Sequence, residues 1–217
     1  MILGLGADLC GFANIGSFSG APEGFHPSDI FADCKSVIVF GLALPRGLSK
    51  ASPKLVYAHF NDCICPPLDF IAFQAAKQIE AEFGGCAVPL PSDGPYDYWD
   101  PEKSEGRGLI SMKHAAVAAG LGTLGRSTLL LNSKYGNMLI LGAVLTDLDL
   151  PSDPPAAPIC ISGCDLCLSG CPVQALDGLS ANQKKCRANT YGTNARGFST
   201  VNCNQCRMVC PMRYGNN

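Results

Sequence analysis

Long hydrophobic runs are missing from this chain. The longest, residues 138–145, is far short of the roughly 20 apolar residues a helix needs to cross a bilayer, so no membrane partner is expected. A basic leader is missing too. Residues 1–8 hold no lysine or arginine and already meet a charge at Asp8, which is not the form of a signal peptide. Charge is scarce, at 16% of residues, and nearly balanced at −2, so the total points to no particular partner. Without an export signal, 13 cysteines fit a reducing cytoplasm and metal or redox duty, not a disulfide framework. The expected location is cytoplasmic. At 217 residues and 47% hydrophobic, the chain suits one packed domain plus a small appendage.

What is abundant is cysteine near the C-terminal end. One run holds Cys160, Cys164, Cys167 and Cys171, followed by Pro172; a second holds Cys186, Cys203, Cys206 and Cys210, followed by Pro211. Each run ends in Cys-x-x-Cys-x-x-x-Cys-Pro, the pattern of two-cluster ferredoxins, in which the fourth cysteine of one run ligates the other cluster. Two residues between thiols let one backbone turn present both to neighbouring corners of a cube. The three-residue gap carries the last thiol across to the partner cube, and proline stops the turn. The spacing therefore assigns Cys160, Cys164, Cys167 and Cys210 to one [4Fe–4S] cluster. Cys186, Cys203, Cys206 and Cys171 take the other. The first gap is one residue longer than usual, and Gly163 is expected to let that residue loop out. Cys186 must reach its set across a sixteen-residue loop. All-cysteine zinc sites use similar pairs and stay open as the alternative, as do disulfides.

Charge is unevenly spread. From residue 160 onward six basic residues face two acidic ones. The stretch Lys184, Lys185, Arg187 around Cys186 reads first as an offset to the anionic cube, and second as a docking patch for an acidic electron donor or nucleic acid.

Upstream, 6–12, 36–44 and 86–90 read as strands and 68–83 as a helix closed by Gly84 and Gly85. Residues 91–108 form a long polar loop, of the length that often serves as a lid or pocket wall. Ser111 is expected to cap a helix through Ala119. Gly120, Gly122 and Gly125 match G-x-G-x-x-G, but a helix precedes them and β-rich residues follow, so a dinucleotide site is rejected. Segments 127–131 and 138–146 are expected to pair as a hairpin. The Pro-rich stretch 151–158 reads as a stiff linker between a body, 1–150, and a cluster domain, 159–217.

Residues 111–136, with their serine cap, His114, the three glycines and the turn at Tyr135 and Gly136, resemble the epoxyqueuosine reductase family. Segment 139–147, the linker and the double cysteine run follow in that family's order, and cobalamin-dependent reductive dehalogenases share both modules. The resemblance implies an α/β, nitroreductase-like body with a C-terminal ferredoxin-like double-cluster domain. It also implies cobalamin as the candidate second cofactor, with flavin behind it. Where the family carries a catalytic aspartate, this chain reads Glu105, Gly106, Arg107, Gly108. The family's tRNA-binding helical repeats have no counterpart before Asn217, so tRNA is not expected as a partner.

Single residues give weaker signals. His114 is a candidate proton donor. Tyr57 and His59 are candidates to line the same pocket, and Asp97 and Tyr98 are further donors on the long loop. Cys63 and Cys65 are expected on one face of an extended stretch, and Cys10, Cys34 and Cys86 as small buried hydrophobes. The first functional expectation is an iron–sulfur oxidoreductase that passes electrons from a ferredoxin- or flavodoxin-type partner to a small-molecule substrate or second cofactor in the body. The alternative is a non-catalytic ferredoxin-like electron-transfer or binding module.

Overall fold

The computed structural model describes residues 1–51, 55–94, 96 and 98–216. In chain order its elements are β1 (Leu9–Asn14), α1 (Pro27–Ile30), β2 (Ser36–Ala43), α2 (Leu55–Cys63), α3 (Cys65–Phe83), β3 (Ala87–Leu90), β4 (Tyr98–Asp100) and β5 (Glu105–Arg107). There follow α4 (Met112–Ala118), β6 (Thr123–Leu124), β7 (Leu130–Leu131), β8 (Leu139–Thr146), α5 (Leu166–Ser169), α6 (Gln183–Thr190), β9 (Tyr191–Thr193), β10 (Ser199–Val201) and α7 (Gln205–Met208).

The centre is a four-stranded sheet in the order β1-β2-β8-β3, antiparallel at every pairing. Strand β2 reads as an unbroken apolar run because both of its faces are covered. Side chains alternate across a strand. Val37 and Val39 therefore meet Ala115, Ala116 and Ala119 of the α4 region, while Ile38 and Phe40 meet Leu68, Ala72, Ala75 and Ile79 of α3. The result is a mixed α/β sandwich, with a helix on either side of the sheet.

Helix α3 begins three residues before the expected Leu68. Prolines occupy its first turn, where no intrahelical N–H is needed. It ends at Gly84, whose φ of 71° is the left-handed cap. The first strand runs 9–14 and not 6–12, because Ile2–Leu5 wind into a 3₁₀ turn. The hairpin expected from 127–131 and 138–146 does not form. Both edges of β8 are already taken, by β2 and by β3, so Leu130 and Leu131 pair instead with Thr123 and Leu124.

Segment 151–158 has no helix or strand of its own, yet it is fastened to the free edge of β1. Asp153 N–H donates to Phe12 O at 2.9 Å, Phe12 N–H to Asp153 Oδ2 at 2.9 Å, and Asn14 N–H to Ser152 Oγ at 2.8 Å. Those bonds cover an edge that would otherwise be open to pairing with another chain. Among the described residues no helix is long and apolar enough to cross a membrane.

Candidate metal centre

Two short helices carry the repeated cysteine motif. Cys164 precedes α5 and Cys167 lies within it; Cys203 precedes α7 and Cys206 lies within it. The two helices pack on each other. Gly163 holds φ 75° with open space around it, so the extra residue of the first gap loops out there, as its position in the spacing implies.

The packing gathers Cys160, Cys164, Cys167 and Cys210 around one cavity. Gly125, Arg126 and Ser127 of the body close its other side, with Leu131 and Ile161 among its apolar walls. Gly125 leaves room for Leu131: a Cβ there would stand 2.7 Å from Leu131 Cδ1 and in ordinary contact, 3.8 Å, with Cys160 Sγ. Gly120 has φ 67°, and a Cβ would stand 2.4 Å from Pro154 O. The glycine run is therefore packed against segment 151–158, β7 and Cys160.

Burial pushes the thiols of Cys167 and Cys210 upward, and each is raised further by charge on its companions in the same set. Burial likewise raises Cys206, where Cys186 and Cys203 add to the effect and the Arg207 guanidinium opposes it. Cys186 is exposed on α6. Cys171 follows α5, and its Sγ accepts from the Ala175 N–H at 3.3 Å. Among the described residues no three Cys, His, Asp or Glu side chains stand as a ready-made metal-ion site, for zinc or for iron.

The basic residues near Cys186 are otherwise engaged than expected. Lys184 Nζ donates to Glu102 O at 2.8 Å. Arg187 lies 5.4 Å over the Tyr96 ring and 5.1 Å over Trp99. Gln183 accepts from Gly106 N–H and donates to Gly106 O, both at 3.0 Å. Together these bonds clasp the hairpin β4–β5 onto α6. In that hairpin Glu105 Oε1 accepts from Arg107 Nη2 at 2.9 Å. Elsewhere Arg126 opposes the rise at Cys167 and Arg207 the rise at Cys206, and Cys206 in turn raises Lys113.

The remaining candidates scatter. His114 is exposed, with Nδ1 2.7 Å from Ser111 Oγ, so the serine hydroxyl serves the histidine and makes no helix cap. Tyr57 is buried on α2, where its hydroxyl donates to Asn61 Oδ1 at 3.3 Å; His59 lies exposed on the same helix. His59 and Cys63 line a second, apolar cavity of about 490 Å³ between α2 and the β9–β10 hairpin. Cys63 Sγ is 3.4 Å from His59 Nε2. Cys63 and Cys65 do not share a face of an extended stretch, because one ends α2 and the other begins α3. Cys34 is buried and Cys10 half-buried, but Cys86 is exposed. Tyr98 begins β4; Asp97 lies outside the described residues.

No protein-family model matches the chain. It is 31% identical over 152 residues to an epoxyqueuosine reductase of Gloeobacter violaceus, which is 64% of this chain and 43% of that protein. In fold it matches, over 100% of its length, 64% of an epoxyqueuosine reductase solved with a tRNA-Tyr epoxyqueuosine-modified stem loop (TM-score 0.67, 18% identity). It likewise matches 32% of a catabolic reductive dehalogenase in complex with 3-bromo-4-hydroxybenzoic acid (TM-score 0.65, 18% identity). The chain thus spans under two thirds of these relatives, and the resemblance read from residues 111–136 holds. The expectation that tRNA is no partner is overturned, because a structure matched along the whole chain is one that holds a tRNA stem loop.

Proposed function

We propose that this chain is an iron–sulfur oxidoreductase carrying two [4Fe–4S] clusters. Cys160, Cys164, Cys167 and Cys210 hold one, and Cys186, Cys203, Cys206 and Cys171 hold the other. The observation that carries the reading is the cavity shared by three thiols of the first run and the last thiol of the second. That interlacing is what the two-cluster pattern demands. Residues 159–217 are the ferredoxin-like part and residues 1–150 the nitroreductase-like body, joined by 151–158.

Electrons from a ferredoxin- or flavodoxin-type protein pass through the two clusters to a reducible group in the body. Cobalamin is the first candidate for that group and flavin the second; either would supply the two-electron chemistry that clusters alone do not. The apolar walls between α2 and the β9–β10 hairpin offer space for an organic ring. A modified tRNA stem loop belongs among the substrates to test, on the strength of the similar structure that holds one.

A relay without catalysis is the second reading. It is favoured by one observation: the stretch where the family has its aspartate offers only Glu105, and Arg107 already occupies that carboxylate. Anaerobic reconstitution followed by spectroscopy tests both. Reduction should give paramagnetic signals from two interacting clusters, and uptake of cobalamin or flavin marks the enzyme. Two clusters with no uptake of either cofactor mark the relay, and no paramagnetic signal at all overturns both.

A further inference from the structure

The chain holds three histidines. Two of them meet a serine hydroxyl through Nδ1, His26 at Ser28 and His114 at Ser111. His59 meets a thiol instead: its Nε2 stands 3.4 Å from Cys63 Sγ. The two lie four residues apart on α2, so one face of the helix carries both. An edge-to-face contact with Phe60, ring centroids 5.1 Å apart, braces the imidazole. Cys63 is exposed and belongs to neither of the two cysteine runs. A thiol within reach of an imidazole is the pairing that activates sulfur as a nucleophile.

The pair opens into the cavity of about 490 Å³ between α2 and the β9–β10 hairpin, a size that suits a small organic molecule. Leu55, Val56, Phe60 and Phe198 wall it, and all four are exposed. Apolar side chains left open to water around one nucleophile are the form of a binding site. Asn194 and Ser199 of the hairpin add an amide and a hydroxyl to the lining, donors that suit a carbonyl oxygen. Among the described lining residues Asp62 is the only other ionisable one.

We propose that Cys63 is a nucleophile, with His59 as its base, for an apolar α,β-unsaturated carbonyl compound bound in this cavity. His59 takes the thiol proton, and Sγ forms a bond to the β-carbon. The π electrons pass to the carbonyl as an enolate, and the imidazolium returns the proton to the α-carbon. One C–S and one C–H bond replace the S–H bond and the C=C π bond. No group leaves, and no oxidant or reductant is consumed. This addition asks of the protein what the site holds: a soft sulfur nucleophile, a proton carrier and apolar walls. It needs neither cluster nor second cofactor, so it stands or falls apart from the two-cluster reading.

The test follows adduct formation by peptide mass spectrometry on the full-length protein, with benzylideneacetone as the apolar enone and acrylamide as a small polar counterpart. Near pH 7 the Cys63 rate should saturate with benzylideneacetone. It should exceed the rate of exposed Cys86 by about tenfold, because an unassisted thiol is only a few per cent ionised there. His59→Gln should bring Cys63 down to the rate of Cys86 near pH 7, and the deficit should vanish near pH 10, where the thiol ionises unaided. Phe198→Ser should weaken saturation by benzylideneacetone and leave the acrylamide rate unchanged. The proposal is overturned by a Cys63 no faster than Cys86, by a His59→Gln variant as fast as the parent near pH 7, or by a rate linear in benzylideneacetone throughout. A deficit of His59→Gln that persists near pH 10, or an equal loss for both probes in Phe198→Ser, marks a structural role and overturns it too.

Discussion

At the scale of the residue, burial separates the thiols that face solvent from those that do not. Cys63, Cys86 and Cys186 are exposed and Cys34 is buried. Cys10 is raised to about 11, first by burial and then by the Asp153 carboxylate. In metal-free protein near pH 8, iodoacetamide should label the first three early and Cys34 and Cys10 last, as peptide mass spectrometry would read. The folded state favours the neutral Cys10 thiol. Its contribution to stability is therefore present below pH 9.0 and lost as pH rises towards about 11. A Cys10→Ala variant should lose stability less steeply over that window. Gly125→Ala should cost about 1–3 kcal/mol by overpacking against Leu131, seen as a lowered melting temperature and weaker cluster retention. That Cys160, Cys164, Cys167 and Cys210 share one cavity was legible, because thiols at fixed spacing carry their own geometry. The meeting of Cys63 with His59 was not, since residues four apart share a face only where the chain is helical. Lys184, Lys185 and Arg187 neighbour Cys186 in sequence, but in the fold Lys184 and Arg187 serve the β4–β5 hairpin.

At the scale of the element, the clasp between β4–β5 and α6 ties the long polar loop to the helix of Cys186. Gln183 makes two of its bonds, reproducing with one amide side chain the pairing of a neighbouring strand. Gln183→Ala should free both polar groups of Gly106 and cost about 1–3 kcal/mol. Hydrogen exchange across 98–107 should quicken. The emission of Trp99, the chain's single tryptophan, should shift to the red. Unchanged exchange with unchanged emission would mean that the aromatic contacts of Arg187 hold the hairpin alone. Strands β2 and β8 and helix α3 were readable because their apolar patterns match the faces they bury. Helix α2 was not: Leu55, Val56 and Phe60 point to solvent, which blurs its period. The 127–131 hairpin failed for the opposite reason. Its pattern was right for a strand, and only the occupancy of both edges of β8 denied it that partner.

At the scale of the whole molecule, the cysteine region is bound into the body and does not hang from it. Asn216 N–H donates to Ser133 O at 2.8 Å, Gly136 closes on the backbone of Arg213, and the loop 125–127 forms one wall of the thiol cavity. A group bound between such parts stabilises the bound form by mass action, so filling the cavity should raise the melting temperature of the whole chain. A mixed α/β fold came from the sequence, through the unbroken apolar run of β2 and the helical period of α3. The way residues 125–127 supply one wall of the thiol cavity did not, because contacts between distant segments leave no local pattern. The central claim is that interlaced cysteine runs hold iron and sulfide. Elemental and acid-labile sulfide analysis of full-length protein reconstituted without air tests it most directly. Two cubes predict about eight iron and eight sulfide per chain; zinc in stoichiometric amount with no sulfide would contradict it.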